Sequence, residues 1–500
     1  MRKLNVALIA RQTLDISDRD VASLAEACWQ ILDPKGTQTK PFLFLYGGRL
    51  VRLVPSGEAS SSCFEPLSSD RLAHELSKRI RFVDSLQARR AGEYVPPELL
   101  KHMLADPNPP VHRVEAFTRV PLFDGSGTLI QEEGYHSDYR IFYRPDASIR
   151  SSFDLSAVTQ EDVRKAKALI LDELLKDFPF VNEADRANAV SLLLLPFVRH
   201  LIPGHVPLYL IDKPRAGEGA TLLASTLLTP AFGDAIPRTP PPNDEGEWRR
   251  TILSILSGGP NCVLLDNLTT LRSSYLASSI TSEALIDRRV GAGVAPMVPV
   301  RCIWVGTAIN AELSEEIRRR TVLISLDSGV ENPSERNSFR IPHLKEWAMD
   351  KRNRLIHAAL TIVQGWMNAG YQFSEKTFGG FERYAQFMGG ILEYAEIPGF
   401  LEASHGRTPA GSVTEWLKGF AFTSEMYSQF VDESVPAKSL VNIARQTRFI
   451  SPTDNVLVLA RKLSQIQDKT FGRFILRKAK VLHNTVLWKL ENTGFWESRD

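Results

Sequence analysis

A glycine-rich turn between a short apolar run and an apolar helix constrains the fold of this chain more than any other feature. The run LYLI (208–211) contains β-forming residues, and Thr221 begins the apolar run TLLASTLL. The turn between them starts at Pro214 and reads PRAGEGA. Its glycines, Gly217 and Gly219, adopt positive φ angles without steric cost. This order of strand, turn and helix predicts an α/β fold with a parallel sheet flanked by helices.

The turn has the outline of a Walker A motif, G-x-x-x-x-G-K-[ST]. Gly219 and Thr221 keep two fixed positions, whereas Pro214 replaces the first glycine and Ala220 replaces the lysine. Backbone N–H groups of such a turn and the following helix N-terminus form an anion site. We therefore expect ATP phosphates on the turn and Mg²⁺ on the Thr221 hydroxyl. The expected nucleotide contacts are Pro214, Arg215, Ala216, Gly217, Glu218, Gly219, Ala220, Thr221 and Leu222.

A second apolar run, CVLL (262–265), ends in Asp266 and Asn267. Such a run predicts a buried parallel strand that delivers Asp266 to the carboxyl edge of the sheet, where α/β proteins bind ligands. We interpret Asp266 as a Mg²⁺ ligand, as in a Walker B motif. Asn267 takes the usual place of a second acid, so it orients the attacking water without accepting its proton. Considered alone, Asp266 is equally compatible with a helix cap.

Two further apolar runs carry polar residues at one end. Thr307 and Asn310 follow the run CIWV (302–305), where a polar group positions water against the γ-phosphate. Asn310 is the first candidate for that role and Thr307 the second. Arg319 and Arg320 precede the fourth run, and either guanidinium is a candidate arginine finger for a neighbouring subunit's site. In isolation, Asn310 is typical of a turn and the arginines of a solvated helix end.

The stretch from Leu208 to about Leu401 resembles the helicase half of phage, plasmid and mobile-element primase–helicases. That group consists of AAA+ type ATPases related to superfamily 3 and MCM-like replicative helicases. The matching segments are IDKP (211–214), GEG (217–219), LDN (265–267), DRRVG (287–291), TAIN (307–310), RR (319–320) and ENP (331–333). The resemblance implies a P-loop core that binds ATP and Mg²⁺ between subunits of a ring-shaped oligomer, expected to be a hexamer.

The resemblance also implies a function and partners. It implies an ATP-dependent DNA helicase or translocase that replicates a mobile element on single-stranded or forked DNA, with a primase or another replication protein as a possible partner. Two alternatives remain open. One is a scaffold that binds nucleotide without hydrolysing it, and the other is the ATPase of an antiviral or regulatory system.

Ala220 is the departure from the family pattern that affects chemistry. The motif lysine contacts the β- and γ-phosphates, and no other cation is evident at that point of the loop. We therefore predict that this chain hydrolyses ATP poorly. Gly217, Gly219, Thr221 and Asp266 are all retained, so we hypothesise an engineered lysine-to-alanine change, and a natural loss remains the alternative.

The sequence predicts four regions. These are an α+β collar or DNA-contacting domain (1–150), a helical bridge (151–203), the AAA+ type domain with a helical lid (204–405) and a helical, winged-helix-like domain (406–500). The predicted helices are 19–32, 70–82, 161–175, 183–197, 413–420, 423–430, 438–445 and 453–466. Strands are predicted at 41–46 and 50–53, and DGSG (124–127) predicts a hairpin turn.

Composition limits the partners that the whole chain can attract. The net charge of +2 gives no global attraction to nucleic acid, so DNA affinity has to come from local patches. Candidate DNA contacts are Arg288, Arg289, Arg473, Arg477, Lys478 and Lys480. A solvated basic strand is the alternative for the last four. Four separated cysteines and the lack of a long apolar run predict a reducing, cytoplasmic location without a membrane segment.

Overall fold

The structure is a computed structural model, and the chain forms two compact units, Met1–Ser404 and His405–Asp500. The described residues are 11–17, 20–32, 41–54, 63–85, 95–150, 152–234, 236–286, 297–330, 332–402, 435–446, 449–450, 455–467, 470–471, 474–482 and 485–492. In these ranges, no helix is both long and apolar enough to cross a membrane.

The first part of the first unit combines short strands with helices. Its strands are β1 (Gln12–Asp15), β2 (Leu43–Tyr46), β3 (Arg49–Leu53), β4 (Phe64–Pro66), β5 (Ile80–Val83), β6 (His112–Arg113), β7 (Ala116–Thr118), β8 (Leu122–Phe123), β9 (Leu129–Ile130), β10 (Gly134–His136) and β11 (Ile141–Tyr143). Its helices are α1 (Val21–Leu32), α2 (Ser69–Arg79) and α3 (Pro97–Ala105). The sheets have the orders β4-β3-β2-β6, β10-β11-β7, β1-β5 and β8-β9. The hairpin predicted at 124–127 is confirmed, because β8 pairs antiparallel with β9.

One predicted helix in this part is too long. The helix predicted over 70–82 ends at Arg79, and the next residues form β5, which pairs in parallel with β1. Ile80 and Phe82 are buried while Arg81 between them is exposed. This alternation has the period of a strand, and pairing with β1 makes residues 80–83 a strand rather than the last turn of the helix.

Two helices connect this part to the central sheet. Helix α4 (Gln160–Ala168) begins at a capping box in which Thr159 and Asp162 bond each other's backbone N–H groups, and it continues as a π-helical turn at Leu169–Leu174. Helix α5 (Glu183–Val198) is buried along almost its whole length. Both agree with the predicted helices apart from the wider turn at the end of the first.

A parallel sheet forms the centre of the first unit. The strands of this region are β12 (Leu208–Lys213), β13 (Arg238–Thr239), β14 (Cys262–Leu271), β15 (Ala284–Ile286), β16 (Met297–Pro299), β17 (Ile303–Leu313) and β18 (Thr321–Ser325). Five of them form a sheet in the order β13-β14-β17-β12-β18, and all of its pairings are parallel. The helices of this region are α6 (Ala220–Phe232), α7 (Glu245–Ser257), α8 (Ser274–Ile280), α9 (Glu315–Arg318), α10 (Leu344–Asp350), α11 (Arg352–Asn368) and α12 (Glu382–Tyr394). The predicted α/β class with a parallel sheet is confirmed.

The strands β14 and β17 extend further than predicted. Asp266 and Asn310 were expected after the strand ends, but the two strands continue to Leu271 and Leu313. Their pairing shifts register after Leu265, and the pair then continues as a two-stranded ribbon. Beyond the apolar segments, the ribbon carries exposed residues, which apolar periodicity does not identify as strand. Asp266 and Asn310 therefore lie within β14 and β17.

The first part of the unit packs directly on the central sheet region. The side-chain amide of Asn261 donates to the carbonyl of Phe117 at 2.6 Å, and the backbone N–H of Phe64 donates to the carbonyl of Gly258 at 2.9 Å. The guanidinium of Arg301 lies 3.0 Å from the Glu115 carboxylate. These contacts join the N-terminal part to the amino ends of β14 and β17.

The second unit has a small helical and antiparallel fold. Its elements are β19 (Val435–Pro436), α13 (Ala437–Gln446), α14 (Val456–Ile466), β20 (Thr470–Phe471), β21 (Phe474–Leu482) and β22 (Thr485–Asn492). The strands are ordered β19-β22-β21-β20, and β21 and β22 form a hairpin. The helices predicted over 438–445 and 453–466 are present with shifted ends, whereas those predicted over 413–420 and 423–430 lie outside the described residues. Trp488 is buried in the core of this unit, so it is unavailable to stack on a base.

Candidate nucleotide-binding site

The turn after β12 has the backbone that an anion site requires. Gly217 and Gly219 have φ values of 90° and 92°, in the left-handed region that favours glycine. Gly219 is the N-cap of α6, so the cap residue supplies no side-chain hydrogen bond to the first N–H groups of the helix. The first backbone N–H groups of α6 therefore face outward from the carboxyl edge of the sheet, where the helix dipole adds positive potential. This part of the chain is suited to hold a phosphate.

Ala220 is the first residue of α6, and it is fully buried. A lysine at this point would extend its ammonium group toward phosphates on the turn, whereas a methyl group neutralises no charge. Thr221 follows with a partly buried hydroxyl, and Leu222 is 42% exposed. The turn thus retains its geometry without its expected cation.

The carboxylate of Asp266 faces this turn across the sheet edge. Its Oδ1 accepts a hydrogen bond from the hydroxyl of Thr221 at 3.1 Å and another from the hydroxyl of Thr307 at 2.5 Å. Thr307 is fully buried and also accepts the backbone N–H of Asn267 at 3.0 Å. These contacts place Thr307 as the group that orients Asp266, which differs from the water-positioning role considered for it.

The oxygen atoms of Thr221 and Asp266 are suited to share a magnesium ion. Adjacent ligands of an octahedral Mg²⁺, each about 2.1 Å from the ion, lie about 3 Å apart. The observed separation of 3.1 Å between the Thr221 hydroxyl and Asp266 Oδ1 fits that geometry. Mg²⁺ is usually held by one or two such protein ligands together with substrate phosphates. Among the described residues there is no cluster of three or more His, Cys, Asp or Glu side chains that could hold a metal.

Asn267 and Asn310 both adopt left-handed backbone conformations, with φ values of 61° and 48°. Asparagine tolerates this region better than most residues, and such conformations are enriched at functional sites. The amide of Asn310 donates to the carbonyl of Pro214 at 2.8 Å. Asn310 thus joins β17 to the start of the turn, and both asparagine side chains are exposed at the sheet edge.

Glu218 lies inside the turn, and the sequence predicted it only as a nucleotide contact. Its side chain is fully buried, and its Oε2 accepts the backbone N–H of Ser328 at 2.9 Å. Its Oε1 lies 3.9 Å from Nε of Arg215, and Nη1 of the same arginine donates to the carbonyl of Val330 at 2.9 Å. A Cβ on Gly217 would lie 2.9 Å from the backbone nitrogen of Ser334. Ser328, Val330 and Ser334 therefore lie against the turn.

Arg238 supplies a positive charge beside Asp266 that was not identified from the sequence. It lies in the two-residue strand β13, where it is paired in register with Leu264 of β14. Its guanidinium is 3.6 Å from Oδ2 of Asp266, with the arginine side chain 54% exposed and the aspartate 12% exposed. Nothing in the local sequence marks this arginine, because the contact depends on the order of strands in the sheet.

Arg319 and Arg320 precede β18 and lie near the amino ends of the strands, whereas the turn lies at the carboxyl ends. The backbone N–H of Leu208, at the start of β12, donates to the carbonyl of Arg320 at 3.0 Å. The guanidinium of Arg320 donates to the carbonyl of Glu316 at 2.8 Å, and its side chain is only 14% exposed. Arg319 is exposed, and its side chain forms no hydrogen bond or ion pair with the described part of the chain. Neither arginine reaches the turn of its own chain.

The candidate DNA contacts are only partly described. Arg288, Arg289 and Arg473 lie outside the described residues, and the side chain of Lys480 does too. Arg477 and Lys478 lie in β21, with Lys478 exposed and Arg477 partly buried. Arg477 is directly opposite Lys489 of β22.

Comparison with known proteins gives structural similarities and no sequence match. No family model matches the chain, and no curated protein matches it. Solved structures similar to it include an apo form of the NrS-1 C terminal region, with 10% identity, coverage of 89% of this chain and 95% of that chain, and a TM-score of 0.36. SCCmec type IV Cch, described as an active helicase, has 12% identity, coverage of 92% and 99%, and a TM-score of 0.35. JCV helicase has 13% identity, coverage of 48% and 68%, and a TM-score of 0.21. Helicases are thus among the solved structures to which the chain is similar.

Proposed function

We propose that this chain binds ATP with Mg²⁺ at the turn 214–221 and belongs to an ATP-dependent DNA helicase or translocase. The distance of 3.1 Å between the Thr221 hydroxyl and Asp266 Oδ1 carries the proposal. It brings a hydroxyl at a helix N-terminus and a carboxylate from another strand to the separation of two Mg²⁺ ligands. A phosphate-binding turn beside a magnesium site is the combination that nucleoside triphosphates require.

The roles of the residues follow from their positions. The backbone of 217–221 binds the phosphates, and Thr307 holds Asp266 in orientation. Mg²⁺, when bound, neutralises charge on the β- and γ-phosphates. Asn310 orients the attacking water next to the start of the turn, and Asn267 assists it from β14.

A ring-shaped oligomer, proposed as a hexamer, completes this site. The turn has no lysine at its Walker A position, and the candidate finger arginines lie at the opposite, amino ends of the strands. Arg319 is exposed there and has no side-chain partner among the described residues, so it is available to a neighbouring subunit. Arg320 is held by Glu316 and supports the helix end instead. Arg319 is therefore our proposed arginine finger.

DNA is the proposed substrate, in single-stranded or forked form, during replication of a mobile element. The hairpin of β21 and β22 after two helices supports a winged-helix-like role for residues 406–500, with Lys478 and Arg477 on phosphates. Residues 1–150 are proposed as a collar. A primase partner and a cytoplasmic location remain parts of this proposal, and the free cysteines among the described residues suit a reducing compartment.

A second function, a scaffold that binds nucleotide without hydrolysing it, is favoured by one observation. Ala220 is buried at the position where a lysine would contact the phosphates, while the rest of the turn is retained. Such a chain would use ATP to organise an assembly on DNA. The two functions differ in whether Ala220→Lys gives a chain that hydrolyses ATP and unwinds DNA.

ATP hydrolysis measured for this chain, its Ala220→Lys variant and the Ala220→Lys/Asp266→Asn variant separates the two, with and without single-stranded DNA. The motor predicts that Ala220→Lys lowers the activation free energy of hydrolysis by about 1.4 kcal/mol or more, so that the rate rises tenfold or more. It also predicts stimulation by DNA and loss of activity in the double variant. A lysine variant that hydrolyses no ATP and unwinds no forked DNA contradicts the motor. Nucleotide binding in that case supports the scaffold.

A further inference from the structure

The carboxylate of Asp266 divides its two oxygen atoms between different kinds of partner. Oδ1 accepts the hydroxyls of Thr221 and Thr307. Oδ2 instead faces the guanidinium of Arg238 at 3.6 Å. The proposed magnesium ligand is thus already paired with a cation supplied by this chain.

The arginine is held more loosely than the hydroxyls. A charge-assisted hydrogen bond between nitrogen and oxygen spans about 2.7–2.9 Å, so a separation of 3.6 Å is an ion pair without a tight bond. Arg238 comes from an edge strand of two residues, and its side chain is more than half exposed. Thr307, by contrast, is fully buried. Of these partners, Arg238 is the one that is free to move.

An arginine cannot leave the carboxylate by losing its proton, because a guanidinium stays charged in proteins. A second cation at Asp266, rather than loss of a proton, therefore favours its release. A divalent ion interacts more strongly with the carboxylate than an exposed guanidinium does, since its charge is doubled and its distance is shorter. Mg²⁺ on Oδ1 and Arg238 near Oδ2 are like charges on one carboxylate, so each weakens the binding of the other.

We propose that Arg238 is a counter-ion for Asp266 that competes with Mg²⁺, so that it sets how strongly nucleotide binding depends on the metal. This rests on the proposed function of the site. Without metal, Arg238 partly neutralises the charge of the carboxylate from the Oδ2 side. When a magnesium nucleotide binds, the guanidinium moves toward solvent. The competition makes Mg²⁺ binding weaker than the two oxygen ligands alone would allow.

The test measures the affinity of a fluorescent ATP analogue with and without Mg²⁺, using the full chain with Ala220→Lys as the parent. The dissociation constant without Mg²⁺ divided by the dissociation constant with Mg²⁺ reports how much the metal strengthens binding. Arg238→Gln is expected to increase this ratio about two- to fivefold at low salt, the range of an exposed ion pair. Arg238→Lys is expected to stay near the parent, and 0.5 M salt is expected to reduce the difference.

Arg272→Gln is the matched control. Arg272 is another exposed arginine of this region, and it pairs with Glu312 at 2.8 Å on the ribbon rather than with Asp266. It is expected to leave the ratio unchanged. An unchanged or smaller ratio in Arg238→Gln overturns the inference, since the arginine would then be neutral or a phosphate contact. Failure of every variant to bind the analogue, whether or not Mg²⁺ is present, overturns the proposed function as well.

Discussion

The hydroxyl of Thr221 lies 3.1 Å from Oδ1 of Asp266, although 45 positions separate the two residues in the chain. The parallel sheet produces this contact, because β12 and β14 both flank β17 and point their carboxyl ends to the same side. Thr307 of the intervening β17 completes it with a hydrogen bond of 2.5 Å to the same oxygen. The proposed magnesium site therefore depends on three strands.

The hydroxyl of Thr307 is predicted to matter for metal binding more than for folding. Thr307→Val keeps the volume but removes the hydrogen bond to a charged carboxylate, a contact worth about 1.5–3 kcal/mol. Magnesium-dependent binding of an ATP analogue by the Ala220→Lys protein is expected to weaken about tenfold or more. Thr226→Val is the control, because the Thr226 hydroxyl is buried in α6 without a partner in the described structure. Equal affinities for the two variants would refute this role.

Glu218 is predicted to hold the backbone of Ser328 against the turn. Glu218→Ala removes the acceptor of the Ser328 N–H, so unfolding measurements are expected to show a loss of about 1–3 kcal/mol. Glu218→Gln retains an oxygen acceptor and removes a negative charge beside the phosphates. It is expected to lose less stability and to bind nucleotide at least as tightly as the parent. Weaker binding by the glutamine variant would show that the charge is needed.

Asn188 is predicted to be a main polar contact of the core. Its amide donates to the carbonyl of Leu323 at 2.9 Å and accepts the N–H of Leu401 at 3.1 Å, and the residue is fully buried. Asn188→Ala removes both hydrogen bonds, so chemical denaturation is expected to show a loss of about 2 kcal/mol or more in the free energy of unfolding. Asn353 makes the same pair of contacts, to Ser148 and Arg150, near the surface. A loss as large in Asn353→Ala as in Asn188→Ala would contradict this account.

The stability of the first unit is predicted to fall below pH 6.5. Burial, with the nearby guanidiniums of Arg199 and Arg301, lowers the pKa of His200 from 6.5 to about 3. The unfolded chain therefore takes up a proton before the folded chain does, and stability decreases as the pH falls from about 6.5 toward 3. The slope from one such group is at most about 1.4 kcal/mol per pH unit.

Denaturation at pH 7 and pH 5 checks this effect in the parent and in His200→Gln. The variant is expected to lose less stability between the two pH values. Burial also lowers the pKa of His205, which contributes in the same direction and is still present in the variant. Identical pH dependence in both proteins would contradict the proposed role of His200.

The α/β class could be predicted from the sequence because apolar runs and a glycine-rich turn are local signals. Gly217 and Gly219 predict their backbone from residue type alone, and the helix beginning near Thr221 follows from periodicity. Arg238 and the orienting contact of Thr307 were not predictable in this way. Their roles depend on which strands are neighbours, and strand order is not encoded in any single segment. The ribbon formed by β14 and β17 was also missed, since its exposed residues lack an apolar pattern.

Calorimetric titration with a non-hydrolysable ATP analogue and Mg²⁺ tests the central claim most directly. We predict that the Ala220→Lys protein binds one analogue per chain, at least tenfold more tightly than the chain with Ala220, a difference of about 1.4 kcal/mol. Adding Asp266→Asn is expected to weaken that binding at least tenfold when Mg²⁺ is present. No binding by the lysine variant, or binding that is insensitive to Asp266→Asn, would contradict a nucleotide and magnesium site at this turn.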